Sequence, residues 1–456
     1  MAVYMEWYFL PLIPFAVILF YSGWMNRETV FWLLIASLPF SFEYQLNPSL
    51  GLDLPDEILM LGVSLYFACA WLYKPALLSR SVISHPLVIL LLVVFSWSLC
   101  TAFLSTDQII SFKYILAKTW YLGSFVLAPL VLFRDKKNLK KAAIIFSVSL
   151  FAVMMIILFR HGLKGFHFST INEAASPFFR NHVNYSSMLV LLFPLLLVFY
   201  KTVQQKKFRQ WILVAMGLFF AALFFTYARG AWLALLAGIA AWVLITSRKL
   251  VPAVILAFGM IIFSLYWISQ EDRYLKLAHD YKTTIFHSNF SEHLLATYQM
   301  KDVSTAERFY RWIAGIRLAG EHGLTGTGPN TFYNNYKPYA VPAYRTWVSN
   351  NPDHSTIHNY FLLLLAEQGY PGMVLFLLLV IAMFYYAQQV YSRTKDNFIK
   401  HCALAIAVML AMIVTVNLLS DLIETDKIGS IFYLCLAVLV SVDLLDRKSL
   451  NSSADI

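Results

Sequence analysis

Apolar stretches long enough to cross a lipid bilayer recur along almost the whole chain. A transmembrane α-helix needs about 20 predominantly apolar residues, and only helices or closed barrels satisfy their backbone polar groups within hydrocarbon. Such stretches lie at 7–24, 28–41, 57–74, 84–104, 112–133, 141–159, 185–200, 209–227, 230–247, 251–269, 358–388, 399–418 and 428–445. The second stretch is short enough to be re-entrant. The sequence therefore predicts an all-α polytopic membrane protein with 12 or 13 transmembrane helices.

The amino-acid composition excludes an ordinary soluble protein. Hydrophobic residues make up 59% of the chain, charged residues make up 13%, and the mean hydropathy is +0.64. The four cysteines lie in or beside apolar stretches, where a thiol normally packs as a small apolar group. We therefore expect neither a disulfide framework nor a zinc site.

Lysine and arginine residues are concentrated in every second connection between the apolar stretches. Short cytoplasmic loops retain positive charge, whereas translocated loops do not. The basic residues are Lys74, Arg80, Arg134, Lys136, Lys137, Lys140, Lys141, Lys201, Lys206, Lys207, Arg209, Arg248, Lys249, Arg393, Lys395, Lys400, Arg447 and Lys448. The connections expected on the exterior or periplasmic face are 42–56, 105–111, 160–184, 270–356 and 419–427. Topology thus accounts for the net charge of +10, and nucleic acid is not an expected partner.

One long polar segment, residues 270–356, interrupts this pattern, and we call it the large loop. We predict a single membrane domain over residues 1–456 with the large loop inserted between two transmembrane helices. The loop holds nine Lys or Arg against eight Asp or Glu and is rich in aromatic residues, which argues against a disordered linker. Ser304 and Glu307 resemble a capping box at the start of a helix near 305–320, and a glycine-rich turn follows.

Arg229 lies at the predicted outer junction of two apolar stretches, where a cation is disfavoured. A guanidinium at membrane depth costs several kcal/mol unless it is paired or reaches water. Contact with lipid phosphate and a functional role are about equally good explanations. Arg308 and Trp312 lie one turn apart on the predicted loop helix, and an arginine there suits bidentate binding of a diphosphate. An ordinary solvated arginine is the alternative.

His358 is predicted one step into the helix that leaves the large loop, with Asp353, Ser355 and Thr356 as possible caps. The positive end of a helix disfavours a protonated ring, and a neutral imidazole is what a general base requires. A purely structural histidine is the alternative, and Asp353 and His354 are rival bases.

Several motifs together resemble the O-antigen ligase family over roughly residues 170–390. The motifs are Thr226 to Trp232 with Arg229, the Arg308 to Trp312 helix, Gly326-x-Gly328, and His358-Asn359 followed by Gly369-x-x-Gly372. Met373 departs from the Ser, Thr or Tyr that often follows the last glycine in this family. The superfamily also includes O-antigen polymerases and related protein oligosaccharyltransferases.

The resemblance implies an inverting glycosyltransferase of the bacterial inner membrane, with its active site on the periplasmic face. Its donor would be a glycan on polyprenyl (undecaprenyl) diphosphate, and its acceptor lipid A-core or a comparable surface glycolipid or glycan. Arg229 and Arg308 would stabilise the leaving diphosphate, and His358 would act as the base. The donor or acceptor would be bound by Asn359, Trp312, Arg180, His182 and Asn184.

No Asp-x-Asp or Glu-x-x-His ligand cluster occurs in the sequence, so we expect no metal and no other cofactor. Three functions remain open. The first is a ligase that uses lipid A-core, the second is a polymerase that joins lipid-linked repeat units, and the third is a non-enzymatic transporter of the lipid-linked glycan. Arg180, His182 and Asn184 equally fit a polar cap at a helix start.

Overall fold

The computed structural model describes residues 28–47, 50–270, 303–346, 348–351 and 354–454. The first predicted apolar stretch, residues 271–302 of the large loop, and Asp353 lie outside these residues.

The helices are α1 (Thr29–Ser37), α2 (Asp56–Tyr73), α3 (Arg80–Ile83), α4 (Pro86–Phe103), α5 (Gln108–Leu122), α6 (Ala128–Leu132), α7 (Lys136–Leu163), α8 (Ile171–Ala175), α9 (His182–Val190), α10 (Leu192–Thr202), α11 (Lys206–Phe224), α12 (Arg229–Thr246), α13 (Leu250–Ser269), α14 (Val303–Glu321), α15 (Phe332–Asn335), α16 (Tyr360–Arg393), α17 (Asn397–Asn417) and α18 (Asp426–Ala454). A π-helical segment, Gly123–Leu127, joins α5 to α6. Strands β1 (Phe42–Asn47) and β2 (Leu50–Leu54) pair antiparallel as a hairpin.

The helices fit an all-α polytopic membrane protein, with the small hairpin as a local departure. Ten helices in the described residues are long and apolar enough to cross a bilayer, and α13 is a further apolar helix. Their bounds lie within about five residues of the predicted stretches, because a spanning helix must satisfy its backbone internally, except that α18 ends nine residues beyond position 445. The second predicted stretch forms only the nine-residue α1, which is too short to span. The predicted total of 12 or 13 transmembrane helices includes the stretch at 7–24, which lies outside the described residues.

The connections predicted to be cytoplasmic meet at one end of the bundle, which we call the basic end. Lys136 pairs with Asp396, and the Arg134 guanidinium donates to the carbonyl of Leu77. The amide of Leu250 donates to the Gln388 side chain over 3.3 Å. These contacts join four of the basic connections.

A buried carboxylate cluster fixes the helix ends at the basic end. The fully buried Asp443 of α18 lies 3.2 Å from His85 Nε2, 3.0 Å from Arg393 Nη2 and 2.7 Å from Arg447 Nε. Because each partner comes from a different helix or turn, this one carboxylate fixes α4 and α16 against α18. An uncompensated charge here would be costly, so its three partners are needed.

The other end, which we call the loop end, carries the hairpin and the large loop. The amide of Thr106, between α4 and α5, donates to the carbonyl of Thr327 in the large loop over 2.9 Å. Arg180 Nε lies 2.7 Å from Glu43 of the hairpin. The predicted outer connections therefore contact one another at the end opposite to the basic end.

Helix α14 forms where a loop helix was predicted, but its start differs from the predicted capping box. Glu307 is the fifth residue of α14 rather than its third, and its buried carboxylate lies 3.0 Å from Arg311 Nη2. Thr346 and Ser349 also donate to this carboxylate. Glu307 thus ties α14 to the end of the large loop, and the capping-box role was wrong for it.

Helix α16 is broken at Gly369, which has a left-handed φ of +70°. The amide of the next residue, Tyr370, donates to the carbonyl of Gly323 over 2.8 Å. A Cβ on Gly369 would lie 2.5 Å from the Leu324 carbonyl oxygen. The large loop therefore approaches the helix break so closely that only glycine fits there.

The glycine-rich turn is what fills this break. The amides of Thr327 and Gly328 donate to the carbonyls of Ala366 and Glu367 over 3.1 and 2.8 Å. The buried Glu367 carboxylate accepts in return from the backbone amides of Asn330 and Phe332, over 2.8 and 2.9 Å. These reciprocal bonds dock the large loop on α16 and fix the loop segment that leads to His358.

Candidate functional site

His358 lies just before α16 and not in its first turn. Asn359 is the N-cap, and its side-chain oxygen accepts from the amide of Leu362 over 3.1 Å. His358 has a left-handed φ of +55°, and its side chain is 36% exposed. The prediction that His358 lies inside the helix was therefore wrong, because the helix begins two residues later, at Tyr360. The predicted caps Asp353, Ser355 and Thr356 were also wrong, because Asn359 is the N-cap. Asparagine is among the best N-caps, and its bond to the helix fixes the boundary.

Asp421 is the residue that the sequence reasoning missed. Its Oδ1 lies 3.7 Å from His358 Nδ1, and it accepts a hydrogen bond from the Thr356 hydroxyl. Burial alone would raise the pKa of the Asp421 carboxyl, but the His358 ring and the Thr356 hydroxyl outweigh burial and hold the pKa below its usual value. A charged carboxylate therefore faces one ring nitrogen of a half-exposed histidine.

The connection that carries Asp421 is itself held in place. Glu424, three residues on, pairs with the buried Lys118 of α5 over 2.8 Å. Glu424 also accepts from the hydroxyl of Tyr114 over 3.0 Å. Acidic residues at the ends of outer spans were the available signal for Asp421 and Glu424, because such residues need partners at this depth.

The segment on either side of His358 is bonded to α14 and to the connection between α17 and α18. Arg311 of α14 donates to the carbonyl of Thr356 over 2.9 Å. The Asn359 side-chain amide donates to the carbonyl of Leu418 over 3.0 Å, and the Tyr360 amide donates to the carbonyl of Ser420 over 3.1 Å. The oxygen and the nitrogen of the Asn359 side chain are thus both hydrogen-bonded to backbone groups. Asn359 is therefore a positioning residue in this structure.

The rival bases differ from His358 in their surroundings. The His354 ring stacks on Tyr333, with ring centroids 4.0 Å apart and an interplanar angle of 19°. Asp353 lies outside the described residues. Of these candidates, His358 is the one that the described structure pairs with a carboxylate.

Arg229 is the first residue of α12, and Ala228 is its N-cap. A basic residue at this position opposes the helix dipole, which costs roughly 0.3–1 kcal/mol without an anion. The same geometry favours an anion, because the backbone amides and the guanidinium then act together. A Cβ placed on the neighbouring Gly230 would lie 3.9 Å from Leu419 Cδ1. The start of α12 therefore borders the connection that also contacts Asn359 and His358.

Arg308 and Trp312 lie on α14, the helix that holds Thr356 through Arg311. Both side chains are half-buried. Trp312 packs beside Phe309 at 5.6 Å, and its buried indole N–H has no acceptor among the described residues. Helix α14 thus links these two predicted site residues to the His358 segment.

Arg180, His182 and Asn184 lie at a separate place on the loop end. Asn181 caps α9, because its side-chain oxygen accepts from the backbone amide of Asn184 over 2.9 Å; the helix start thus has a polar cap, supplied by Asn181 and not by one of these three side chains. The Asn172 side-chain oxygen lies 2.8 Å from both the His182 amide and its ring Nδ1. Arg180 and Asn184 line a cavity of about 410 Å³.

The described residues contain no group of three or more His, Cys, Asp or Glu side chains placed to hold a metal ion. The charges at the candidate site come instead from Arg229, Arg308 and the His358–Asp421 pair.

Comparison with curated proteins finds no significant match. Residues 214–377 match a family model described as O-Antigen ligase, and this match includes Arg229, Arg308, His358 and the helix break. The family implies glycosyltransferase activity of the O-antigen ligase or polymerase type in an integral membrane protein. This match to residues 214–377, together with the motifs and the apolar helices, supports an O-antigen ligase-like family for the chain.

Proposed function

We propose that the protein is a metal-independent, inverting glycosyltransferase that moves a glycan from polyprenyl diphosphate to a surface acceptor such as lipid A-core. The observation that carries this proposal is the His358–Asp421 pair at the start of α16, beside the cationic start of α12. The proposed location is the periplasmic face of the bacterial inner membrane, since the loop end lies opposite to the basic end.

In the proposed reaction, His358 takes the proton from an acceptor hydroxyl while that oxygen attacks the anomeric carbon. Nδ1 faces Asp421, so Nε2 is the nitrogen that accepts the proton. The new bond joins the acceptor oxygen to the anomeric carbon, and the bond from that carbon to the diphosphate oxygen breaks. Asp421 then stabilises the imidazolium that forms.

The leaving group carries the electron pair away as a lipid diphosphate, whose negative charge must be stabilised. We assign this role to Arg229, supported by the N-terminus of α12, and to Arg308 on α14. Trp312 is proposed to pack against the donor beside Arg308. The apolar helices beneath the site would hold the polyprenyl tail.

The experiment that tests the proposed function is reconstitution of the purified full chain with a polyprenyl diphosphate-linked glycan. Appearance of the glycan on lipid A-core supports the ligase, and lengthening of the lipid-linked chain supports the polymerase alternative. Movement of the intact lipid-linked glycan across the bilayer without transfer would instead support a transporter.

Chelation of divalent ions is expected to leave the transfer rate within about twofold of the untreated rate. The reason is that two permanently charged guanidinium groups are proposed to stabilise the leaving diphosphate. The measurement is initial rate after exhaustive treatment with EDTA. Loss of activity that Mg²⁺ or Mn²⁺ restores would contradict this prediction.

The transfer rate is expected to fall as the solution is acidified, because a protonated imidazole cannot accept a proton. Asp421→Asn should reduce the maximum rate, because the proposed imidazolium then loses the carboxylate that faces its Nδ1. The measurement is kcat from pH 5 to 8.5 for both proteins. A flat profile down to pH 5 in the wild type would exclude a histidine base.

A further inference from the structure

A cavity of about 410 Å³ opens at the loop end between the hairpin, the segment before α9 and the start of α18. Its volume falls within the range of about 300–1,000 Å³ that is usual for small-molecule sites. Its walls combine carboxylates, the Arg180 guanidinium, the Asn184 amide and phenylalanine rings. The cavity therefore offers both polar and apolar contacts to a ligand.

Lys427 contacts the walls of this cavity and holds them together. Its ammonium donates to the carbonyls of Ser41 and Phe178 over 2.8 and 2.7 Å, and it lies 4.4 Å from the centre of the Phe179 ring. The three walls are thus held together by one cation. Backbone carbonyls already accept hydrogen bonds from this ammonium. We therefore assign Lys427 to holding the cavity walls in place and not to binding a ligand.

The charges that line the cavity disfavour an anion. Its lining includes two basic side chains, Arg180 and Lys427, and four acidic side chains, Glu43, Asp53, Glu424 and Asp426; Asp53 and Asp426 are hydrogen-bonded to each other, so this pair holds one proton and one negative charge. Arg180 is committed to Glu43 over 2.7 Å. A diphosphate would meet more negative than positive charge here, so this wall suits contact of Arg180 with a sugar better than contact with a diphosphate.

A sugar fits the same lining. Carboxylates accept strong hydrogen bonds from hydroxyl or ammonium groups, and the side-chain amide of Asn184 can both donate and accept hydrogen bonds. Phe42, which lines the cavity, is 38% exposed and offers an apolar face to the C–H groups of a sugar ring. A hydroxyl-rich glycan satisfies these groups without bringing in negative charge.

The cavity adjoins the proposed active site through one short connection. Leu422 lines the cavity and directly follows Asp421, the partner of His358. We propose that the cavity binds the hydroxyl- or amine-rich portion of a glycan substrate, at a place distinct from the diphosphate. The assignment of this glycan as a substrate rests on the proposed function.

Steady-state kinetics of the full chain in lipid nanodiscs test this proposal, with Asp53→Asn and the conservative Glu43→Gln as variants. Removing a charge-assisted bond should raise KM for one glycan substrate about tenfold, with kcat within twofold of the wild type. A rise for lipid A-core means that the acceptor occupies the cavity, and a rise for the polyprenyl diphosphate glycan means that the donor does. An unchanged KM for both substrates in both variants would overturn the proposal.

Glu173→Gln is the matched control, since Glu173 is an exposed carboxylate on the same face that pairs with Lys164 outside the cavity lining. It removes the same charge and should leave both KM values unchanged. An equal rise in KM for this control would overturn the proposal, because it would show a general charge effect.

A binding measurement separates this proposal from the proposed function, because it needs no catalysis. Saturation-transfer NMR with delipidated core oligosaccharide and with the glycan released from the donor should detect binding of one of them to the His358→Ala protein. The signal should be lost when Asp53→Asn is added, and inorganic pyrophosphate should not compete. If a glycan binds but the wild type transfers none, the proposed function is contradicted and the glycan site is retained. No binding of either probe, or displacement by pyrophosphate, would overturn the glycan site.

Discussion

Replacing His358 by alanine is expected to lower kcat for glycan transfer roughly 10²–10⁴-fold, the usual contribution of a general base. The described structure places the imidazole beside the Asp421 carboxylate at this end of α16, through Nδ1. Its loss leaves the attacking hydroxyl without a proton acceptor but leaves the cap of α16 intact. KM for both substrates should therefore change far less than kcat.

His354→Ala is the control for this prediction, because His354 is only four residues away and stacks on Tyr333. Its kcat should remain within a few fold of the wild type. Thermal unfolding in detergent checks that both variants are folded. Equal loss of kcat in the two variants would mean that the whole segment, and not the His358 ring, is what matters.

Among the substitutions proposed here, Gly326→Ala is expected to lower the free energy of unfolding the most. Gly326 has a left-handed φ of +67°, and an added Cβ would lie 2.2 Å from the carbonyl carbon of Glu367. Backbone strain of about 1–2 kcal/mol and overpacking of about 1–3 kcal/mol together predict a loss of about 2–5 kcal/mol. The glycine-rich turn would then no longer pack against α16 at the break. Transfer activity should fall when this contact is lost.

Gly320→Ala is the matched control, because an added Cβ there has no described neighbour within 4 Å and the residue lies in α14. Alanine in a helix should be neutral or stabilise the protein by roughly 0.5–1 kcal/mol. The measurements are the unfolding temperature in detergent and the rate of proteolytic cleavage in the large loop. Wild-type behaviour of Gly326→Ala in both would contradict the docking role of the turn.

The apolar helices were predicted to within a few residues because a bilayer leaves the backbone few alternatives. The short α1 and the hairpin were less predictable, since both follow from packing at the helix ends rather than from hydropathy. The boundary of α16 was misplaced for a local reason. Four polar residues compete to cap it, and only three-dimensional contacts show that Asn359 makes the bond.

The candidate site was predicted only in part. The motifs drew attention to Arg229, Arg308 and His358, but Asp421 lies in a different connection and has no motif of its own. The roles of Arg180 and Asn184 depend on neighbours such as Glu43, which comes from the distant hairpin. Pairings between distant segments decide such roles, and no spacing within one segment reveals them.

The most direct test of the central claim is transfer of glycan from polyprenyl diphosphate to lipid A-core by the reconstituted wild type, His358→Ala and Arg229→Ala. Loss of the Arg229 charge should reduce the rate by about 10²–10³-fold, as expected for a group that stabilises developing charge. We predict glycosylated acceptor and released polyprenyl diphosphate in equal amounts from the wild type, and almost none from either variant. Undiminished transfer by both variants would contradict the account.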